Sequence, residues 1–442
     1  MYRFAIEELK KWKAKPDKKP LIIRGARQVG KTWLMKEFGV TCYEKYAYIS
    51  FDNSERMRGL FTGDFDIKRI MTGLELEVGF KITPESTLII FDEVQEVPKA
   101  LTSLKYFNEN AQEYQVICAG SLLGVALHQG TSFPVGKVEF LDLHPLSFIE
   151  FLIATGKEQF ADLLQKNDFD MVTRFKTKYV EALKYYYFVG GMPEAVKNFS
   201  LNNDFSQVRE IQNHILSAYE QEFSKHAPNE IVPRIRLLWN SIPAQLSKEN
   251  KKFVYGLVKE GARAREYELA MLWLIDCGLV IKVPRINKPS LPLKAYEDLK
   301  AFKLFILDVG LLSCKSRLKA GVLLDGNDLF EEFKGSLSEQ YVLQQLKTKS
   351  RIDIYYWSND KGNAEIDFVI DTGERIVPIE VKAETNLKAK SLRAYKDLFN
   401  PGISVRTSMS DYKKEDWLIN LPLYAISEID KQNPNQKTNK DI

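Results

Sequence analysis

The sequence predicts an α/β protein whose N-terminal part is built on a parallel sheet, and three stretches predict it. Residues 21–23 are a short apolar run of strand type, and residues 25–32 follow with the pattern G-x-x-x-x-G-K-T. Apolar residues then recur at helical spacing as far as Phe38. A second buried strand, residues 87–91, ends in two carboxylates. Strand, glycine loop and helix in this order are the context that a phosphate-binding loop requires.

The glycine loop has the residue types that phosphate binding needs. Several backbone N–H groups must point inward, and Gly25 and Gly30 let the chain curl tightly enough. The helix that follows aims the positive end of its dipole at the anion. We therefore predict that Lys31 contacts the β- and γ-phosphates of ATP and that the Thr32 hydroxyl coordinates Mg²⁺. An ordinary glycine turn before a helix is the alternative.

The next strand after the loop and its helix is predicted over residues 46–52. It precedes the strand that carries the acid pair. We predict that Asp92 holds Mg²⁺, directly or through water, and that Glu93 polarises the attacking water. A strand that ends at an exposed acidic turn is the alternative. The spacing favours catalysis, because the acids follow the loop by about 60 residues, which leaves room for one extra strand.

A further strand, residues 115–119, ends at Gly120 and Ser121. Its polar end is expected beside the γ-phosphate, so Ser121 is a candidate sensor residue, although a helix cap is an equal alternative. Residues 137–141 are predicted to be a last strand. The predicted nucleotide contacts are Gly25, Ala26, Arg27, Gln28, Val29, Gly30, Lys31, Thr32, Trp33 and Ser121.

The composition is that of a soluble globular protein. The chain has 442 residues, 45% of them hydrophobic and 28% charged, which is enough for two or three domains. A formal net charge of +4 does not argue for nucleic acid, although it permits a local basic groove. The four cysteines form no C-x-x-C pair, which favours reduced thiols in the cytoplasm. No apolar run is long enough to cross a bilayer, and residues 1–10 predict an amphipathic helix and not a signal peptide.

Several stretches resemble a known family. They are residues 25–32 (GARQVGKT), 92–95 (DEVQ), 119–121 (AGS), 141–151 (LDLHPLSFIEF), 190–195 (GGMPEA) and 303–312 (KLFILDVGLL). They resemble the bacterial and archaeal AAA-type P-loop ATPases, and the resemblance covers most of the chain. It implies an ATP-hydrolysing N-terminal domain, a middle helical or winged-helix region and a C-terminal domain similar to restriction endonucleases. Many such ATPases complete the site with an arginine from a neighbouring subunit, so a homo-oligomer stays open.

We therefore expect four segments along the chain. An AAA-type P-loop ATPase domain spans residues 1–150, and a helical and winged-helix region spans residues 151–330. A restriction-endonuclease-like α/β domain spans residues 331–430. Residues 431–442 are polar enough to predict a disordered tail.

The middle region predicts a winged helix over residues 248–283, where two helical patterns precede a strand. A DNA-binding winged helix would bring Arg263, Arg265 and Lys282 near phosphates. The second helix, however, is mostly apolar and carries Glu266 and Glu268. This pattern favours a winged helix that packs or regulates over one that reads DNA.

The C-terminal segment predicts a helix, three strands, a helix and a strand. Their predicted ranges are 333–346, 352–357, 364–370, 375–382, 388–399 and 403–405. This is the element order of the endonuclease-like core, whose signature is an acid followed on the next strand by E-x-K. Asp367 and Glu380-Val381-Lys382 supply it here. Strand side chains alternate, so Glu380 and Lys382 share a face on which Asp367 can meet them.

These residues predict metal-assisted cleavage of a phosphodiester. Asp367, Glu380 and the Val381 carbonyl are candidate ligands of Mg²⁺ or Mn²⁺, and Glu339 is a further candidate ligand from the preceding helix. Lys382 would orient or activate water beside the scissile phosphate. Amphipathic strands with one solvated, charged face are the alternative.

Two functional hypotheses follow. The first is a cytoplasmic ATPase whose nucleotide state gates a metal-dependent nuclease-like domain that acts on nucleic acid. The second is a non-cleaving, nucleotide-dependent switch that binds DNA or protein partners through its C-terminal half. A small-molecule kinase fits less well, because the adjacent Asp92 and Glu93 suit water as the acceptor.

Overall fold

The computed structural model describes residues 1–52, 54–63, 65–120, 134–325, 331–348, 352–359, 364–373, 375–384 and 389–431. The chain divides into two compact units. The first is Met1–His144 with Trp273–Leu279, and the second is Pro145–Leu272 with Val280–Ile442. Among the described residues, none of the helices combines the length and apolarity needed to cross a membrane.

The first unit contains a five-stranded parallel sheet in its described part. Its strands are β1 (Leu21–Arg24), β2 (Lys45–Ser50), β3 (Thr87–Asp92), β4 (Gln115–Ala119) and β5 (Glu139–Asp142). Their spatial order is β2-β3-β4-β1-β5, and every neighbouring pair is parallel. The predicted parallel sheet is therefore confirmed. Because parallel strands end at the same edge, the end of β3 lies near the loop that follows β1.

Helices cover this sheet, as its apolar strands require. They are α1 (Ala5–Ala14), α2 (Lys31–Cys42), α3 (Glu55–Phe61), α4 (Ile67–Val78) and α5 (Pro98–Asn110). The core between them contains four buried phenylalanines, Phe51, Phe61, Phe91 and Phe107. Their rings pack edge to face, with centroids between 5.4 and 6.1 Å apart.

The second unit begins with helices. They are α6 (Phe148–Ala154), α7 (Glu158–Gln165), α8 (Phe169–Arg174), α9 (Lys176–Val189), α10 (Pro193–Asn202), α11 (Phe205–His226) and α12 (Val232–Leu246). A further helix, α13 (Ala264–Asp276), precedes the first strand of this unit. Ser147 begins α6 with a capping box, in which its hydroxyl and the Glu150 carboxylate each bind the other residue's backbone N–H.

The remaining elements of the second unit form an eight-stranded mixed sheet and its helices. The strands are β6 (Val280–Ile286), β7 (Glu297–Ile306), β8 (Ile354–Ser358), β9 (Glu365–Asp371), β10 (Ile376–Val381), β11 (Ser404–Ser408), β12 (Lys413–Lys414) and β13 (Leu418–Pro422). The helices are α14 (Val309–Lys315), α15 (Ala320–Asp325), α16 (Glu331–Lys347) and α17 (Lys390–Phe399). The spatial order of the strands is β12-β13-β11-β10-β9-β8-β6-β7.

The structure joins two segments that the sequence analysis kept apart. The antiparallel pair β6–β7 follows α13, as a wing would, but β6 also pairs with β8 through Arg285 and Ile286. The predicted middle region and C-terminal segment therefore share one sheet. The pattern within β6 predicts a strand, but β6 pairs with β8, which lies about 70 residues further along the chain, and no local pattern reveals such a partner.

A buried carboxylate holds two stretches of the second unit together. Asp308 is fully buried and accepts hydrogen bonds from the backbone N–H groups of Gly191 (2.6 Å) and Leu311 (3.0 Å). The side-chain amide of Gln344 on α16 donates to the same carboxylate at 2.9 Å. Burial raises the pKa of Asp308. Several donors around one carboxylate stabilise its burial, so we regard Asp308 as structural.

Candidate active site

The loop after β1 has the backbone conformation of a phosphate-binding loop. Gly25, Gln28 and Gly30 all have positive φ angles, of 147°, 67° and 94°. A Cβ on Gly25 would collide with the carbonyl oxygen of Leu143, so only glycine fits there. Gly30 is the N-cap of α2 and its left-handed conformation turns the chain into the helix. The loop therefore presents the N-terminal N–H groups of α2 at the edge of the sheet.

Lys31 lies inside this loop. Its ammonium donates to the carbonyl oxygens of Gly25 (2.9 Å) and Ala26 (2.8 Å), and the residue is only 7% exposed. Burial lowers the pKa of Lys31 to about 8, although the charges of Glu93 and Asp92 oppose that effect. A buried cation whose hydrogen bonds in the described structure go to neutral carbonyl groups favours an anionic partner, and phosphate is one.

Thr32 and Asp92 meet at the end of β3. The Thr32 hydroxyl donates to Asp92 Oδ2 at 2.7 Å, and the Tyr48 hydroxyl on β2 donates to the same oxygen at 2.9 Å. The parallel pairing of β2 with β3 brings Ser50 opposite Asp92. Tyr48 is two residues before Ser50 and therefore lies on the same face of the sheet. The sequence alone does not reveal Tyr48 as a partner of Asp92, because the register of β2 against β3 decides which side chains are adjacent.

Glu93 lies directly after β3 in a left-handed conformation, with φ 53° and ψ 43°. Such a conformation in a residue other than glycine is strained and is typical of functional sites. Its backbone N–H donates to Asp92 Oδ1 at 3.1 Å, and the Gln95 amide donates to Glu93 Oε2 at 2.6 Å. Gln95 therefore fixes the direction of the Glu93 carboxylate.

Arg3, which the sequence patterns do not indicate, binds the backbone of the glycine loop through hydrogen bonds. It is 4% exposed. Its guanidinium donates to the carbonyl oxygens of Val29 (3.0 Å) and His144 (2.6 Å). Val29 is part of the glycine loop, so the N-terminal segment is tied to the phosphate-binding backbone.

The predicted nucleotide contacts differ in how much side chain they present. Ala26 and Val29 are buried, so they can contribute to binding only through the backbone. Trp33 is 38% exposed on α2. Ser121, the candidate sensor, lies outside the described residues, so its role stays a prediction.

A second polar cluster lies in the second unit around Lys303, on β7. The Lys303 side chain is fully buried, and its ammonium lies 2.6 Å from Glu365, 3.5 Å from Glu339 and 3.8 Å from Asp367. Lys251 donates to Glu339 at 2.5 Å. Burial by itself lowers the pKa of Lys303, but the three carboxylates raise it well above its usual value.

The pKa values of Asp367 and Glu339 are shifted in opposite directions. Burial, together with the charge of Glu339, raises the pKa of Asp367 to about 7, although Lys303 and Lys251 oppose the shift. Burial also acts to raise the pKa of Glu339, but the ammonium groups of Lys251 and Lys303 bring it below its ordinary value. Asp367 therefore loses its proton less readily than Glu339 does.

The predicted E-x-K pair lies at the end of β10, where Glu380 is inside the strand and Lys382 directly follows it. The Lys382 ammonium lies 3.0 Å from Glu380 Oε1, and Glu380 is 3% exposed. Burial raises the pKa of Glu380, and Lys382 and Arg406 oppose that shift. Asp367 on β9 is close to β10, because the Val381 N–H donates to Asp367 Oδ2 at 2.8 Å. Its other oxygen faces Lys303.

The predicted C-terminal metal site, with Asp367, Glu380 and Glu339 as ligands, stays a prediction. No group of three or more histidine, cysteine, aspartate or glutamate side chains in the described part of the chain is arranged to hold a metal ion. Glu339 and Asp367 are instead arranged around lysine ammonium groups. Thr32 and Asp92 do fit Mg²⁺, because they bring a hydroxyl and a carboxylate together, and Mg²⁺ needs few protein ligands beside phosphates.

Family models match three parts of the chain. Residues 17–152 match a family described as an AAA domain. Residues 180–321 and 334–425 match two models that are each described as a domain of unknown function, DUF8612 and DUF4143. The match of the first part agrees with the loop and acid geometry, so this part is a P-loop ATPase domain. No curated protein matches the chain.

Three solved structures are similar only at low level. The Walker-type ATPase of Pyrococcus abyssi is 15% identical, with 70% of this chain and 95% of that chain covered and a TM-score of 0.44. The Orc1 protein of Aeropyrum pernix, solved in complex with DNA, is 11% identical with 71% and 90% covered and a TM-score of 0.26. Cdc6p from Pyrobaculum aerophilum is 11% identical with 73% and 93% covered and a TM-score of 0.25.

Proposed function

We propose that the first unit binds ATP with Mg²⁺ at the carboxyl edge of its parallel sheet and hydrolyses it. The observation that carries this proposal is the contact of 2.7 Å between the Thr32 hydroxyl and the Asp92 carboxylate. It brings a side chain of the phosphate-binding loop to the acid that ends β3. The AAA-domain match over residues 17–152 supports the same function.

Binding begins with the loop. Its backbone N–H groups and the N-terminus of α2 attract the phosphates. Lys31 exchanges its two carbonyl acceptors, Gly25 and Ala26, for phosphate oxygens, and the charge-assisted bonds are stronger than the neutral ones they replace.

The hydroxyl of Thr32 and the carboxylate of Asp92 would hold Mg²⁺, which when bound neutralises charge on the phosphates. Tyr48 fixes one Asp92 oxygen by donating to it. The Tyr48 hydroxyl is therefore a positioning group for the metal ligand.

Glu93 accepts a hydrogen bond from the water that attacks the γ-phosphate, and so orients and polarises it. The Gln95 amide donates to Glu93 Oε2 and so holds the carboxylate in place. Gln95 is a positioning residue, because it acts on Glu93 and not on the reacting atoms.

The C-terminal half acts in this proposal as a nucleotide-dependent switch and not as a nucleotide-gated nuclease. The observation that favours the switch is the pairing of Glu339 and Asp367 with lysine ammonium groups. Metal-assisted cleavage needs those carboxylates for a cation. This half would then bind or release a DNA or protein partner according to the nucleotide state, without cleaving it.

The ATP proposal is tested by Mg²⁺-dependent ATP turnover and ATP affinity of the wild type and Lys31→Ala. The expected result is turnover by the wild type, with both properties lost in Lys31→Ala. Lys10→Ala is the matched control, because Lys10 is an exposed lysine of α1 that pairs only with Glu7 in the described contacts. Equal affinity in Lys31→Ala and the wild type would contradict the proposal.

The switch is tested by incubating the wild type with single-stranded, duplex and branched DNA, and with RNA, in Mg²⁺ or Mn²⁺. Each reaction is run with and without ATP. The expected result is intact nucleic acid in every reaction while ATP is hydrolysed. Cleavage that disappears in Lys382→Ala would establish the nuclease and overturn the switch.

A further inference from the structure

The buried Lys303 ammonium lies beside Asp367 and Glu339, two of the three acids that are predicted to bind a metal ion. Lys303 is fully buried, and carboxylates from two elements, Glu365 and Asp367 on β9 and Glu339 on α16, surround its charge. A buried ammonium is stable only when opposite charges compensate it. The carboxylates are therefore required to stabilise the lysine.

We propose that Lys303 is a resident cation that excludes a divalent metal ion from the C-terminal acidic cluster. The term "resident cation" here means the Lys303 ammonium held by Glu339, Glu365 and Asp367. The inference does not depend on ATP hydrolysis, because every residue in it belongs to the second unit.

Both oxygens of Asp367 and both oxygens of Glu339 already have partners. Asp367 directs one oxygen toward Lys303 and accepts the Val381 N–H with the other. Glu339 directs one oxygen to Lys251 and the other toward Lys303. A metal ion in this place would have to displace at least one ammonium and its hydrogen bonds.

The distances from the cation to the carboxylate oxygens differ between an ammonium group and a divalent metal ion. The Lys303 nitrogen lies 2.6 to 3.8 Å from the three carboxylates, which is hydrogen-bond and ion-pair range. Magnesium ligands lie at about 2.0–2.1 Å in octahedral arrangement. Carboxylates arranged around an ammonium would therefore have to move inward to bind Mg²⁺ or Mn²⁺.

Glu380 does not restore a metal site. Its Oε1 is paired with Lys382 at 3.0 Å, and its buried Oε2 has no hydrogen-bond partner in the described structure. Mg²⁺ is commonly bound through one or two carboxylates with water in its other positions, so the free Glu380 oxygen would need a second acid beside it. The acids predicted to join it, Asp367 and Glu339, are paired with lysine ammonium groups.

The test counts Mn²⁺ ions bound to the full chain without nucleotide, by the electron paramagnetic resonance signal of free Mn²⁺. Wild type and Asp367→Asn are compared, and both retain the Thr32 and Asp92 site. The expected result is the same number of bound ions. One additional ion in the wild type would overturn the proposal. Asp371→Asn, at the end of β9, controls for the loss of any carboxylate on that strand.

A second variant tests the excluding role of the lysine itself. Lys303→Met removes the ammonium and keeps a side chain of similar length, so it is expected to bind one more Mn²⁺ than the wild type. That gain should disappear in Lys303→Met/Asp367→Asn. A folded Lys303→Met without the gain would overturn the assignment of Lys303 as the excluding cation. Glu380→Gln is a second comparison with the wild type if Asp367→Asn does not fold, and equal ion counts are again expected.

Discussion

Replacement of Lys303 by methionine is expected to destabilise the second unit strongly. The substitution removes the ammonium and leaves Glu365, Asp367 and Glu339 with Lys251 as their remaining close cation. Removing one partner of a buried ion pair costs about 3–5 kcal/mol, because the other charges stay buried without compensation. Lys303 is fully buried, so solvent screening does not reduce that cost.

The assay is thermal and urea unfolding of the full chain, followed by circular dichroism. A loss of about 3–5 kcal/mol corresponds to a lower Tm by on the order of 10 °C for a unit of this size. Lys300→Met is the matched control, because Lys300 is an exposed lysine of the same strand, and its replacement should change stability by no more than about 0.5 kcal/mol. Equal unfolding of Lys303→Met and the wild type would refute the charge argument.

Two further predictions concern the ATP site. Arg3→Ala should weaken ATP binding several-fold, because the Val29 carbonyl in the loop loses its guanidinium donor. Arg3→Lys should recover part of the affinity. An unchanged Kd in Arg3→Ala would contradict this role. ATP affinity should also be highest below pH 8 and should fall by up to about tenfold per pH unit above it, because Lys31 has a pKa lowered to about 8 and phosphate favours its charged form. Calorimetric titration at pH 7.5 and 9.5 checks this, and equal affinities would contradict it.

Local pattern was sufficient to predict the strand, glycine loop and helix at the start of the first unit. The loop, its glycines and Lys31 are consecutive residues, so the sequence alone shows the context they require. The meeting of Thr32 with Asp92 was also predictable, because parallel strands end at the same edge of a sheet. Arg3 was not predictable, since its acceptors Val29 and His144 lie 26 and 141 residues away.

The C-terminal cluster shows a different limit. The element order and the proximity of Asp367 to β10 follow from strand alternation and pairing. The lysines that pair with the acids are distant in sequence: Lys303 is 36 residues from Glu339, and Lys251 is 88 residues away. An acid pattern therefore predicts that carboxylates gather, but not whether a metal ion or an ammonium neutralises them.

The measurement that tests the central claim most directly is steady-state ATP turnover by wild type and Glu93→Gln. The expected result is a kcat lowered by about 10²-fold or more in Glu93→Gln with ATP affinity retained, because the amide cannot polarise water while Lys31 and Thr32 are unchanged. Glu96→Gln is the control, since Glu96 follows in the same turn and contacts Arg58 at the surface. Wild-type turnover by Glu93→Gln would contradict the proposed catalytic role.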